Sequence, residues 1–277
     1  MKIAILGDIH GNKHALEATL DDLKKQHVDR VIINGDSVNR GPHSVAVLEI
    51  LFSEDFEFTL GNHDDLVCMW QAKDPKLPQN WQQDPFWRST AMVARSLERA
   101  GYLEKLGQFP LAISIHTRQA PRVMITHGSP RHYREGYGTF TAASVFREIA
   151  AKYDAVVFVG SHTHRPLDYF HGDRRFLNTS AVGTPFNRKP DAQYLILEAK
   201  NAQWEVEFRH VPYDRQKAID AFSETGFLEQ GGLSAQIFRD ELIHLRPLFD
   251  PFWQWTEKNT IPRNQTSWNI FKKRHLT

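Results

Sequence analysis

The chain has 277 residues, a length that accommodates one large α/β domain with an appendage or two smaller domains. With 41% hydrophobic and 24% charged residues it is not a disordered chain, and 16 Gly with 14 Pro exclude a collagen-like or low-complexity one. Lys plus Arg is 34 against 33 for Asp plus Glu, so a net charge of +1 provides no global field to gather nucleic acid or an anionic membrane, and the lone Cys68 excludes an internal disulfide and a cysteine-based zinc site. Metal chemistry, if present, must draw on His, Asp and Asn. No window approaches the ~18 consecutive apolar residues of a membrane helix, and a soluble cytoplasmic protein is expected.

Residues 3–6 read as a short buried strand. Asn12 is placed to cap a helix whose apolar positions Leu16, Leu20 and Leu23 fall on one face. A second strand is expected at 31–33. Pro42 suits the first turn of a helix carrying Val45, Leu48 and Leu51, and a third strand follows at 56–60. Strand and helix alternating with short connections imply parallel strands joined by right-handed crossovers. From 64 to 109 the pattern is mostly helical, broken near 74–84 by a proline-rich loop, and reads as an insertion over the sheet. Strand patterns return at 111–115, 123–125, 155–159, 194–197 and 204–210. After Tyr213 the chain reads helical and ends in an aromatic tail with Trp253, Trp255 and Trp268, more an appendage than an independent unit.

Five apolar strand patterns are each followed at once by candidate metal ligands. Residues 3–6 lead to Gly7-Asp8-Ile9-His10, 31–33 to Asn34-Gly35-Asp36, and 56–60 to Gly61-Asn62-His63-Asp64. Residues 123–125 lead to Thr126-His127-Gly128, and 155–159 to Gly160-Ser161-His162-Thr163-His164. Open α/β sheets bind ligands beyond the carboxyl ends of their strands, so the five loops are expected to converge on one crevice. In extended segments residues two apart point the same way, which pairs Asp8 with His10 and His162 with His164 as two pincers. Imidazole with carboxylate suits Mn, Fe, Zn, Ni or Co, and Asp36 could bridge two ions ~3.5 to 4 Å apart.

The strings GDIHGN, GDSVNRG, GNHDD, THGSP and GSHTHRP, in this order over residues 1 to about 210, resemble the calcineurin-like metallophosphoesterases. That resemblance implies a four-layer α/β/β/α sandwich of two mixed β-sheets flanked by helices, here with the helical insertion at 64–109 within a domain of 1–213 and a helical, aromatic extension at 214–277. It implies two divalent transition-metal ions, manganese first among Mn, Fe, Zn, Ni and Co. Asp8, His10, Asp36 and His164 would hold one, and Asp36, Asn62, His127 and His162 the other. His63, Arg40 and Asp64 are the catalytic candidates, His63 as proton donor with an ordinary pKa of ~6.5 and Arg40 as a bidentate phosphate contact. Asn12, Arg40 and Arg131 are the substrate-binding candidates, Arg131 from a loop able to grip a second phosphate.

The expected activity is hydrolysis of phosphodiester or nucleotide polyphosphate bonds by a metal-bridging hydroxide, with a phosphomonoesterase or Ser/Thr protein phosphatase as the alternative. A phosphorylated small molecule or nucleotide is the expected partner, nucleic acid enters only as a possible substrate, no membrane is involved, and the oligomeric state is open. One segment departs from the pattern: Asn178-Thr179-Ser180-Ala181-Val182-Gly183 stands where bacterial relatives often carry Asn-Pro-Gly-Ser-Val-Gly.

Overall fold

Strand β1 (Lys2–Leu6) shows in five residues how the layers arise. Alternate side chains point to opposite faces, so Ile3 and Ile5 enter a core shared with Val123, Ile125, Val157 and Val159, while Ala4 and Leu6 enter another with Leu16 and Leu48. A strand buried on both faces needs a packed layer on each. In the computed structural model, which describes residues 1–276, β1 pairs in parallel with β2 (Arg30–Asn34), and β2 with β3 (Glu57–Thr59). Helices α1 (Lys13–Leu23) and α2 (Ser44–Phe52) are the crossovers. Antiparallel β9 (Ala192–Lys200) and β10 (Gln203–Val211) complete a five-stranded sheet of order β10-β9-β1-β2-β3. Thr277, the last residue of the expected extension, lies outside the described residues.

The second sheet contains β4 (Ala112–Ile115), β5 (Val123–Thr126), β6 (Val157–Gly160), β7 (Pro166–His171) and β8 (Arg174–Thr179), in the order β4-β5-β6-β8-β7. Strands β5, β6 and β8 are parallel, with antiparallel β4 and β7 at the edges. Helix α6 (Ala143–Lys152) covers its outer face, where Phe146 and Ile149 meet Phe158 and Phe176. The fold is therefore the α/β/β/α sandwich of two mixed sheets, its inter-sheet core built from β-branched residues and leucine.

The hairpin of β7 and β8 and helix α6 are absent from the sequence expectations. Gly172, at φ +61°, opens the hairpin's two-residue turn between the paired His171 and Arg174, so the Gly-Asp dipeptide was the available signal. Pro42 lies just outside α2, whose N-cap is His43.

The 64–109 stretch folds as α3 (Asn62–Ala72), short 3-10 turns at Gln79–Gln82 and Pro85–Trp87, α4 (Arg88–Arg99) and α5 (Leu103–Gly107). The C-terminal stretch forms α7 (Arg215–Glu224), α8 (Phe227–His244), α9 (Phe249–Lys258) and α10 (Gln265–His275). These two regions pack on each other: α8 lies along α4, where Ser89 Oγ and Ser234 Oγ are 2.6 Å apart, and Trp87 meets Phe249 and Trp253 at 5.9 and 5.4 Å. Their aromatic rings join the helical core of the first sheet. No helix among the described residues is long and apolar enough to cross a membrane.

Candidate metal centre

The loops that leave β1, β2, β5 and β6, with the start of α3, meet at one end of the sandwich. Backbone hydrogen bonds lace them together: Asp8 N to Gly35 O at 3.1 Å, His10 N to Asp36 O at 2.9 Å, and Ser161 N to His127 O at 2.8 Å. Gly61, the N-cap of α3, touches this lacing so closely that a Cβ there would lie 2.1 Å from Asp36 N. Two clusters result. Asp8, His10 and His164 offer ligand atoms within 4.8 Å of one another, as do Asp36, His127 and His162.

Asp36 stands between the clusters, its Oδ2 being 3.3 Å from His127 Nε2 and 3.7 Å from His10 Nε2. Asn62 Oδ1 joins the second at 3.1 Å from His127 Nε2. The pincer expectation holds for Asp8 with His10, which share a cluster, and is corrected for His162 and His164, which go to different clusters. These four residues and Asp36 have φ between +50° and +65° instead of the extended backbone on which that expectation rested. Such left-handed conformations cost energy in non-glycine residues and persist where the surrounding structure holds them.

The donor set fits divalent cations on three observations. Asp8 Oδ1 is buried without a hydrogen-bond partner, 3.4 Å from His164 Nε2, while Oδ2 accepts the His162 N–H at 2.8 Å. A buried carboxylate oxygen left without a donor calls for a cation. Three imidazoles have Nδ1 on a backbone carbonyl: His127 on Asn34 at 2.9 Å, His164 on Thr184 at 2.6 Å, and His10 on Val38 at 3.4 Å. Each Nδ1 donates its proton there, which leaves the Nε2 lone pair for a metal. Finally, burial holds His10 well below the usual histidine range and lowers His162 to about 4, so both are neutral as ligands must be. Burial also acts to lower His127, but the Asp36 charge overrides it and raises that imidazole to about 10, so a cation bound there would displace the Nε2 proton that His127 holds beside Asp36. For Asp36, burial alone would raise the carboxyl, yet His127 and His63 hold it well below its ordinary range.

Above these clusters is a cavity of about 410 Å³, lined on the metal side by Asp36, Asn62, His63, His162 and His164. His63 accepts at Nδ1 from Asn39 Nδ2 at 3.1 Å, an orientation set by the Arg40 N–H donating to Asn39 Oδ1 at 2.9 Å. The remaining imidazole proton is therefore on Nε2. Burial, with the Arg40 and Arg134 charges, lowers His63 to about 3, which corrects the expectation of an ordinary pKa. The group at neutral pH is a neutral imidazole with one N–H.

Arg40 lines the cavity, ion-paired to Glu241 of α8 and with its guanidinium 4.9 Å from the Phe238 ring centre. Glu241 is 1% exposed and accepts the Leu248 and Phe249 N–H groups at 2.7 and 2.9 Å.

Three candidates are corrected. Asp64 is absent from the cavity wall and fully buried; it accepts the N–H groups of Asp36, Ser37 and Gly61 at 2.8, 3.0 and 3.2 Å, which makes it a positioning residue. Burial, then the Asp36 charge, raises it to about 7. Asn12 spends its amide on α1, accepting Ala15 N–H at 3.1 Å and donating to Gly183 O at 2.8 Å. Arg131 is claimed by Glu135 and Glu148 and does not line the cavity.

The departing segment keeps its turn. Ser180 adopts φ +64°, and Gly183 N donates to Asp8 O at 2.9 Å where a Cβ on Gly183 would meet Ile9 O at 2.0 Å. Sequence reasoning missed Asn39 and Glu241, which act through a neighbour, and the wall residue Arg165; Arg134 belongs to the loop expected to grip a second phosphate, and it lines the cavity where Arg131 does not.

Residues 1–166 match the calcineurin-like phosphoesterase family. An uncharacterised protein of Methanocaldococcus jannaschii is 24% identical over 233 residues, covering 79% of this chain and 90% of its own. A symmetrical bis(5'-nucleosyl)-tetraphosphatase of Pseudomonas putida is 41% identical over 70 residues, 24% of either chain. Among solved structures, a metallophosphoesterase from Sphaerobacter thermophilus superposes with a TM-score of 0.68 at 24% identity, covering 88% of this chain and 99% of its own. With the family match spanning more than half its length and two clusters of candidate metal ligands side by side, the chain belongs to the calcineurin-like phosphoesterases, metal-dependent hydrolases of phosphoesters.

Proposed function

We propose that the chain hydrolyses phosphodiester or nucleotide polyphosphate bonds at this centre, with Asp8, His10, Asp36 and His164 holding one cation and Asp36, Asn62, His127 and His162 the other. The observation that carries this reading is the buried, partnerless Asp8 Oδ1 beside imidazole Nε2 atoms at the floor of a cavity of about 410 Å³. Two divalent ions, manganese first among Mn, Fe, Zn, Ni and Co, would neutralise phosphoryl oxygens and acidify a water between them. His63, a neutral imidazole, offers its Nε2 N–H as a hydrogen bond to the negative charge that develops on the leaving oxygen. Arg40, held by Glu241, contacts the phosphoryl group from the cavity wall.

The lean toward diesters and polyphosphates is supported by that volume, since one phosphate group leaves much of the cavity unfilled, and by a wall that includes Trp81, Trp87, Phe140 and Phe249. The likeness of a short segment to the tetraphosphatase points the same way. The second reading, a phosphomonoesterase or Ser/Thr protein phosphatase, is favoured by the GDSVNRG string at 35–41. A lone cysteine accords with a reducing, cytoplasmic setting.

The deciding experiment is steady-state hydrolysis of a chromogenic phosphodiester and its matching monoester by metal-stripped protein titrated with Mn, Zn, Ni or Mg. Metal-dependent turnover favouring the diester is expected. A strong monoester preference selects the second reading, and no turnover with any metal rejects both.

A further inference from the structure

Three arginines line the cavity. Arg40 is neutralised by Glu241, whereas Arg134 and Arg165 have no carboxylate partner among the described residues. Both lie on loops that touch the candidate ligands. Arg165 directly follows His164, and its Nε donates to Phe186 O at 3.1 Å, which orients the guanidinium and leaves its terminal nitrogens uncommitted. Arg134 lies two residues before Gly136, whose backbone packs so closely on the metal loop that a Cβ would sit 2.5 Å from Thr163 Cγ2 and 3.1 Å from His162 Cδ2. Beside it, Tyr133 is anchored to Asp65 by a 2.6 Å hydrogen bond. The contrast with Arg131, three residues earlier in the same loop, is informative: Glu135 and Glu148 take up that charge, and none of the three lines the cavity. Apart from Asp36 at the metal clusters, the wall's acidic residue is Asp250.

Arg134 lies over the Tyr133 ring, 5.8 Å from its centre, so in a chain of net charge +1 two guanidinium groups on one wall, neither ion-paired to a carboxylate among the described residues, are a local feature with a preference for anions. Their planar forks suit phosphoryl oxygens, which they can engage through two parallel hydrogen bonds. We propose that Arg134 and Arg165 form an anion subsite that selects substrates carrying a second phosphate beside the one at the metal centre. The inference rests on the phosphoesterase reading above and narrows it: the substrate class becomes molecules with adjoining phosphates, as opposed to simple diesters.

The test is a binding ladder. A nucleoside monophosphate and the methylene-bridged analogues of its di- and triphosphate, which resist cleavage between phosphates, are titrated calorimetrically into metal-loaded protein, with metal ion in excess so that chelation by the nucleotide is saturated. In the wild type Kd falls at least about fivefold with each added phosphate, and in R134A/R165A that step shrinks to under about twofold. R134K/R165K, which keeps the charge and loses the fork, gives an intermediate slope and guards against misfolding of the alanine variant. R122A, which breaks a surface ion pair with Asp154, keeps the wild-type slope. A flat ladder in the wild type, or an unchanged one in R134A/R165A, overturns the subsite. The phosphoesterase reading fails by a different result, absence of metal-dependent hydrolysis of any phosphoester, and the ladder is read independently of turnover.

Discussion

The floor and the roof of the cavity are built on different physics. The floor is made of strand-end loops whose ligands are fixed by backbone: left-handed residues, carbonyls on three Nδ1 atoms, and N–H groups on the carboxylates of Asp36 and Asp64. The roof, from the insertion and the C-terminal helices, is held by aromatic packing such as Trp81 on Trp87 at 4.1 Å. Directional hydrogen bonds fix positions to tenths of an ångström, as metal ligation demands, while ring packing tolerates exchange of side chains of similar volume. The floor therefore fixes the candidate ligands, and the roof walls the cavity above them with aromatic rings.

The sharpest way to break this division is at Asp36. Asp36→Asn removes the carboxylate that stands between both clusters, and kcat/KM should fall by about 10³ or more on every substrate alike. Elemental analysis should show metal content falling with it. Selective loss on one substrate would mean the floor also discriminates.

The opposite perturbation is Trp87→Ala. Trp87 is 6% exposed and surrounded by Trp70, Trp81, Phe249 and Trp253, so the cavity left behind should cost about 3–5 kcal/mol of stability. Calorimetric melting reads that loss, and metal stoichiometry at low temperature should stay at the wild-type value. Loss of metal would show that the floor depends on the roof.

His63→Gln tests a smaller effect. Gln places its amide N–H on a flexible side chain and loses the fixed imidazole donor, so turnover of esters with poor leaving groups should drop by about 30- to 100-fold while activated aryl esters change little. Equal losses on both series would remove the role of His63 at the leaving oxygen. His116, exposed and outside both regions, is the control: His116→Ala should leave both rates unchanged.

What was readable in the sequence follows the same division. Histidines and aspartates after apolar runs announce their chemistry by identity, and the register of β1, β2, β5 and β6 then brings them together, so the floor was legible even though its left-handed backbone was not. The hairpin of β7 and β8 escaped because half its residues are polar or half-exposed and its turn is one Gly-Asp dipeptide. The cavity wall was least legible. Arg131 and Arg134 are equivalent as sequence, and only the placement of Glu135 and Glu148 decides which is free to face the cavity. Asn12 illustrates the reverse: its reading as a helix cap came from local spacing and needs no tertiary information.

The smallest expected effect lies on the seam between the two regions, where Glu241 of α8 holds Arg40 of the β2 loop. Glu241→Gln keeps an oxygen to accept the Leu248 and Phe249 N–H groups, so α9 should stay in place while the charge that holds Arg40 is lost. If that charge acts by orienting Arg40, kcat/KM should fall by about three- to tenfold, since a released guanidinium reaches the phosphoryl group less often. The loss should vanish in an Arg40→Ala background, where Glu241 has nothing left to orient; a double-mutant cycle on diester hydrolysis reads this coupling directly. Additive losses would mean that Glu241 serves the roof alone, and floor and roof would then be energetically separate at a place where the structure joins them by charge.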